Sequence, residues 1–416
     1  TFDVLHADEE KFTCDGKTSV PTPDDIATII YTSGTTSSPK GVMLSHYNLC
    51  SQLEMIDKLF MVYPEDIFLS VLPLAHTYEC TIGLILAFYH GSHVVYLDKA
   101  PTVSTLLPAL KEVRPTIMLT VPLIIEKIYR GAVLKKFTSS AVMRALYGVG
   151  FIRKMLHRVA GKTLTKTFGG RVRFFGIGGA KLDSTVEQFL LEAKFIYDIG
   201  YGLTETSPLL GYAMNGWRAV GSFGYPVYNV KLKLHNINPE TGEGEVVAKG
   251  PNVMLGYYKD PARTKSVFTE DGWFRTSDIA IQDEKGRFFI KGRNNNMILG
   301  PSGENIYPEE IENVINNVEG VSESIVVERD GKLVALVQPD ENFIKWDKES
   351  EDKLYVKLDN WKAKVLKITN KSVSKASQVS SVEVMKEPFE KTATQKIRRF
   401  KYKHSAPTVE EEKKEN

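Results

Sequence analysis

Between Thr32 and Gly41 the string TSGTTSSPKG puts backbone freedom, hydroxyl groups and one cation into ten residues. Glycine lets N–H groups turn toward an anion, the hydroxyls add donors, and Lys40 adds charge, so the segment suits a phosphate cradle. A polar hairpin loop has the same composition. A Walker A loop is excluded, because there Gly-Lys-Ser/Thr opens a helix. Here Lys40 precedes Gly41, and the apolar run Val42-Met43-Leu44 follows.

Further along, other segments carry groups able to bind or react. His76 closes the string LPLAH, and Gly178-Gly179-Ala180 follows an apolar run. Tyr201 to Thr206 reads YGLTET, with Glu205 as a hard oxygen ligand of the kind Mg²⁺ prefers. Asp278 ends the string WFRTSD, and Arg293 opens RNNN. Gly303 begins GENIYPEEIE, in which Pro308 and the acids after it fit a helix start. Lys396 sits in the basic string KTATQKIRR. Taken singly, each has a plain structural reading: a packed histidine, a Gly turn, an exposed carboxylate, a cap, a basic surface loop.

These groups need elements to hold them. Ile26 to Tyr31 reads as a short buried strand, Val42 to Leu44 as a second strand, and Ser45 to Tyr63 as helical. Strands are predicted at 93–97, 117–121, 172–177 and 195–199, with helices at 106–113, 124–133 and 184–194 between them. Such alternation argues for a mostly parallel, helix-covered sheet. After about Trp217, short runs split by Gly, Pro and Asn predict a β-rich subdomain over 217–294. The reading is α/β: a large domain over 1–294, a boundary near 293–296, and a small α+β domain over 295–416. The small domain has strands at 322–328 and 332–337, helices at 309–317 and 347–369, and a disordered tail after about 404.

Hydrophobic residues make up 42% and charged ones 25% of the 416 residues, which excludes a disordered or collagen-like chain. Net charge is only +2, but no Asp or Glu lies from Lys127 to Lys181, where thirteen Lys and Arg do. In a helical reading Leu146, Val149, Ile152, Leu156 and Val159 share one face, and Arg144, Lys154, His157, Arg158 and Lys162 the other. That pattern suits peripheral contact with anionic membrane through 144–166, and a core-packed helix with a solvated face is the alternative. Little aromatic interleaving speaks against nucleic acid. Cys14, Cys50 and Cys80 show no metal-ligand spacing, so a reducing, cytoplasmic setting is expected, with contact at the inner face of the membrane. The N-terminal segment is acidic without an apolar signal, and no run is long enough to span a bilayer.

The string YTSGTTSSPKG matches the phosphate-loop signature of the adenylate-forming enzymes, and the other motifs return in the family's order along nearly the whole chain. GPSGENIYPEEIE with TATQKIRRFKY most resembles the bacterial long-chain fatty-acid–CoA ligases. The resemblance implies a phosphate loop of Thr32, Ser33, Gly34, Thr35, Thr36 and Lys40. It implies an adenine site at Gly178, Gly179, Ala180, Tyr201 and Gly202, with Tyr201 as a stacking ring. Thr204 would donate to the α-phosphate, Glu205 would hold Mg²⁺, and Asp278 and Arg293 would take the ribose. His76 would lie near the carboxylate being activated, Asn295 at the hinge, Gly303 on the CoA side, and Lys396 would be the catalytic lysine.

Some positions depart from the family pattern. Ser277 stands where Gly is usual, Gln395 where many relatives have Gly, and Asn295 where the hinge is acidic or Lys. The family also has a long region ahead of the phosphate loop, so a large domain lacking its N-terminal part is expected. The implied reaction joins a fatty acid to CoA with ATP and Mg²⁺, through an acyl-adenylate and a rotation of the small domain. Another acceptor such as a carrier protein, or a nucleotide-binding homologue of weak activity, are the alternatives.

Overall fold

A computed structural model of the chain describes residues 20–32, 39–99, 101–214, 216–300, 303–340, 343–344, 351–392 and 397–402. Among the sequence-derived site residues, Ser33, Gly34, Thr35, Thr36 and Lys396 lie outside that set, as do Cys14 and the tail after 404.

The strands Ile117–Thr120 and Phe174–Ile177 are buried at every position. Continuous apolar runs of this kind belong inside a parallel sheet covered on both faces. They stand third and fourth in a parallel set ordered His93–Tyr96, Ile67–Ser70, Ile117–Thr120, Phe174–Ile177, Asp198–Gly202. Six antiparallel strands continue the same sheet to eleven: Leu209–Ala213, Ser222–Pro226, Phe288–Arg293, Phe274–Gln282, Gly244–Lys249 and Lys231–His235. The β-rich stretch after Trp217 is therefore hydrogen-bonded onto the parallel half.

Local chemistry sets the helix starts. Ser45 and Asn48 form a reciprocal capping box ahead of His46–Asp57, and Thr102 and Thr105 do the same for Val103–Val113. Asp183 accepts from the N–H groups of Thr185 and Val186 to open Ser184–Ala193. Tyr129, Phe168, Phe175, Phe189 and Tyr197 pack in the core between these helices and the sheet.

Two expectations shift. The strand predicted at 195–199 forms at Asp198–Gly202; Phe195 and Tyr197 are buried ahead of it as an extended approach without a ladder. The run at 26–31, read as a buried strand, is an edge among the described residues: there Ile26–Thr32 pairs only with Lys40–Ser45, and Tyr31 is 64% exposed. Apolarity marked a strand there, but the number of neighbours was a tertiary matter. Gly256–Tyr257 completes this three-stranded sheet on its other side.

Beyond the turn Asn294–Asn296, the helices Pro308–Asn316 and Glu351–Ser372 pack with the strands Val321–Arg329, Lys332–Pro339 and Ser381–Val384 around a core that includes Trp361. Polar contacts tie this α+β unit to the large sheet. Tyr307 donates to Glu243 at 2.9 Å, Lys291 pairs with Glu310 at 2.6 Å, and Asn317 donates to Asp183.

Candidate active site

A cleft of about 640 Å³ opens between the large sheet and the α+β unit. Its floor lies at the carboxyl ends of parallel strands, the usual ligand crevice of such sheets. Gly179, Ala180, Tyr201, Gly202, Asp278, Arg293 and Asn295 line it, with Glu312, Thr392 and Ile397 on the α+β side. Seven residues singled out by the sequence thus meet in one space. Thr392 and Ile397 flank the undescribed stretch that contains Lys396.

Close backbone packing explains the glycines. A Cβ on Gly202 would sit 1.8 Å from the Pro208 carbonyl oxygen, and Gly179 has φ +84. Gly178 faces the Tyr78 ring, 3.3 Å from where its Cβ would be.

Asp278 and Arg293 stand opposite each other in the ladder joining Phe274–Gln282 to Phe288–Arg293. Arg293 Nε donates to Asp278 Oδ1 at 3.0 Å, and the Tyr201 hydroxyl donates to Oδ2 at 2.8 Å. Asp278 is buried. The Asp278 carboxylate pushes the Arg293 pKa up, so Arg293 stays a cation. Burial and the same carboxylate hold the Tyr201 phenol protonated, its pKa well above the ordinary value. One face of the Tyr201 ring stacks on Phe223 at 4.2 Å between centroids. The result is a fixed aromatic wall beside an oriented carboxylate.

Glu205 lies in the turn Thr204–Thr206 and is buried. Lys40 Nζ donates to its Oε1 at 2.7 Å and to the Tyr257 hydroxyl at 2.8 Å, while that hydroxyl donates to the same Oε1 at 2.9 Å. Burial opposes the charge on Glu205, but the Lys40 ammonium and these hydrogen bonds prevail and hold its carboxyl below the usual range. Tyr257 was not singled out by the sequence. It reaches Lys40 because Gly256–Tyr257 pairs with Lys40–Ser45, placing Tyr257 opposite Val42. Pairing of residues so far apart leaves no local signal.

The residues present fit a hard cation in one restricted way. No cluster of three or more His, Cys, Asp or Glu able to hold a metal occurs among the described residues. A single buried carboxylate suits Mg²⁺ when phosphate oxygens and water supply the other ligands.

The remaining expected residues are dispersed. His76 is half-buried, its Nδ1 accepts from the Tyr78 N–H at 3.2 Å, and it does not line the cleft. Thr204 is half-buried and does not line the cleft either. The Thr32 hydroxyl is buried without a hydrogen-bond partner among the described residues, next to the undescribed loop. Asn295 is exposed in the 3₁₀ turn Asn294–Asn296. Gly303 has φ +86 with no atom within 4 Å of a would-be Cβ. A second pairing that the sequence did not reveal stands on the α+β side of the cleft. Arg399 grips both oxygens of Glu312, whose Oε1 also accepts from Val326 N–H at 2.7 Å. Burial pushes the Glu312 carboxyl up, but the two-pronged contact is that of a carboxylate.

Comparison with known proteins gives this arrangement a family. Over 357 residues the chain is 33% identical to the peroxisomal long chain acyl-CoA synthetase 6 of Arabidopsis thaliana, spanning 78% of this chain and 49% of that protein. The chloroplastic long-chain-fatty-acid–[acyl-carrier-protein] ligase of the same plant is 31% identical over 445 residues, 90% of this chain and 60% of that one. The chain thus spans about half the length of the curated relatives it matches. Among solved structures, ATP-bound MatB from Rhodopseudomonas palustris superposes with a TM-score of 0.69 at 26% identity, covering 91% of this chain and 68% of that chain. A family model described as AMP-binding enzyme matches residues 3–258, and the chain belongs to that family of adenylate-forming enzymes.

Proposed function

We propose that the chain activates a fatty acid with ATP and passes the acyl group to CoA. The observation that carries the reading is the convergence of Tyr201, Asp278 and Arg293, far apart in sequence, on the cleft that Gly179 and Gly202 also line. Such a set suits a nucleoside: a ring for the base, a buried carboxylate for ribose hydroxyls, and an arginine whose hydrogen bond aims the carboxylate.

In the first step a carboxylate oxygen of the fatty acid attacks the α-phosphorus of ATP, the P–O bond to pyrophosphate breaks, and acyl-AMP forms. In the second the CoA thiol attacks the acyl carbonyl, loses its proton to solvent, and AMP leaves. No general base is needed for the first step, because the acid is ionised at neutral pH. Two anions must approach, so positive charge and positioning supply most of the catalysis. Lys40 and Lys396 are the cations assigned to the phosphates. Mg²⁺ held by Glu205 would neutralise phosphate charge. Lys40 sits on Glu205 at 2.7 Å and holds that carboxyl ionised before nucleotide arrives. The α+β unit, turning about Asn295, serves the two steps in succession, with the contacts at Tyr307, Lys291 and Asn317 as those that must part.

A second reading keeps the adenylation and exchanges the acceptor. The carrier-protein ligase that matches along 90% of the chain favours it. Both are tested by incubating the chain with ATP, Mg²⁺ and fatty acids of graded length, offering CoA or a phosphopantetheinylated carrier protein, and measuring AMP. AMP that requires both fatty acid and CoA supports the first reading. AMP with the carrier protein alone selects the second. None with either acceptor, while ATP still binds, overturns both.

A further inference from the structure

The helices Ala141–Gly148 and Gly150–Thr167 occupy the stretch without acidic residues, and the longer one divides its surface sharply. His157, Gly161 and Leu164 form its buried line. There His157 Nδ1 meets Glu192 at 2.8 Å, its Nε2 meets the Tyr147 hydroxyl at 2.8 Å, and Gly161 abuts the Ala193 carbonyl. These contacts fix the helix pair to the core as a platform. They also correct the sequence reading: His157 does not share the solvent face with Lys154 and Arg158, because its ring is satisfied inside. Ile152 and Leu156 are half-buried, while Leu146, Val149 and Val159 of the expected apolar face lie open.

Two adjacent ridges make up the outward face. Phe151, Met155 and Val159 repeat every fourth residue and are 80%, 51% and 61% exposed. Lys154, Arg158, Lys162 and Lys166 repeat at the same interval one step around, all exposed. Val142 and Leu146 of the neighbouring helix, and Val149 at the junction of the two, are exposed as well. A solvated face rarely carries a contiguous apolar row of this kind, and a core face does not carry a row of four cations. Arg153, by contrast, pairs with the Glu192 carboxylate at 3.8 Å.

We infer that this face docks on an anionic lipid bilayer. The helices lie flat, the apolar ridge enters the headgroup boundary, and the basic ridge pairs with lipid phosphates. The chemistry favours lipid over nucleic acid, since cations alone would serve a polynucleotide and the apolar ridge would gain nothing. No helix among the described residues is long and apolar enough to cross a membrane, so the contact is interfacial. The inference stands apart from the acyl-transfer reading.

The test is cosedimentation of the full chain with vesicles of phosphatidylcholine alone or mixed with phosphatidylglycerol. Binding should need the anionic lipid and weaken with salt. Phe151→Ser with Met155→Ser, and separately Lys154→Glu with Arg158→Glu, should each lower partitioning about tenfold or more. Thermal melting should stay unchanged, because the substituted side chains are exposed. Three results would overturn the inference: no preference for anionic vesicles, binding to single-stranded RNA that is insensitive to the Phe151 and Met155 changes, or a self-associated chain that separates when Phe151 is replaced.

Discussion

Replacing Lys40 with Met strands Glu205 in the interior. The two side chains are 24% and 8% exposed and touch at 2.7 Å. Removing one partner of a buried ion pair costs ~3–5 kcal/mol. Water reaches Lys40 and the Tyr257 hydroxyl still donates to Glu205, so about 3 kcal/mol is expected at pH 8. The pH dependence fixes the cause. In the native protein the Glu205 carboxyl is depressed, so its contribution is present above the unfolded pKa and is lost as pH falls through the folded one. Without Lys40 burial outweighs the remaining Tyr257 hydrogen bond, the folded pKa moves above the unfolded one, and stability now falls as pH rises. The penalty of Lys40→Met should therefore shrink between pH 8 and pH 5. Adding Glu205→Gln should recover about 2 kcal/mol at pH 8, since a neutral amide costs less to bury than a lone charge. Urea denaturation of the four proteins at both pH values, followed by circular dichroism, measures each quantity. A penalty equal at both pH values, with a double variant as unstable as the two singles added, would refute the argument.

Burial pushes the Glu79 carboxyl up to about 7 from an ordinary 4.5. Its contribution to stability is therefore full below the unfolded pKa and is lost as pH rises to about 7, a span worth ~3 kcal/mol at ~1.4 kcal/mol per pH unit; Glu79→Gln should flatten that part of the stability–pH curve, and an unchanged curve counts against it. Asp278→Asn keeps the fold but weakens the acceptor that Arg293 and Tyr201 orient, so AMP affinity measured by calorimetry should fall about tenfold or more; equal affinity would remove Asp278 from the nucleotide site. Gly202→Ala drives a methyl into the Pro208 carbonyl and should cost about 3 kcal/mol or more, seen as a lower melting temperature; an unchanged melt would mean that the backbone yields there.

The sequence by itself determined a good deal. Apolar runs marked the strands Lys40–Ser45, Ile117–Thr120 and Phe174–Ile177, and Pro308 with the acids after it marked a helix start, because those signals lie within a few bonds of what they control. The motif strings named Tyr201, Asp278 and Arg293 before any geometry was known, and the cleft gathers them. Only tertiary structure decided which groups answer one another. Tyr257 completes the Lys40–Glu205 pair across a sheet, and Arg399 grips Glu312 across 87 residues. His157 is polar by type but buried by Glu192 and Tyr147, which reversed a face assigned from periodicity. Among the described residues, the edge position of Ile26–Thr32 was likewise set by which strands lie beside it. Periodicity tells a chain which surfaces it can bury. Which surface is buried, and against what charge, depends on partners brought together by the fold, because pairing and desolvation are properties of the assembled interior.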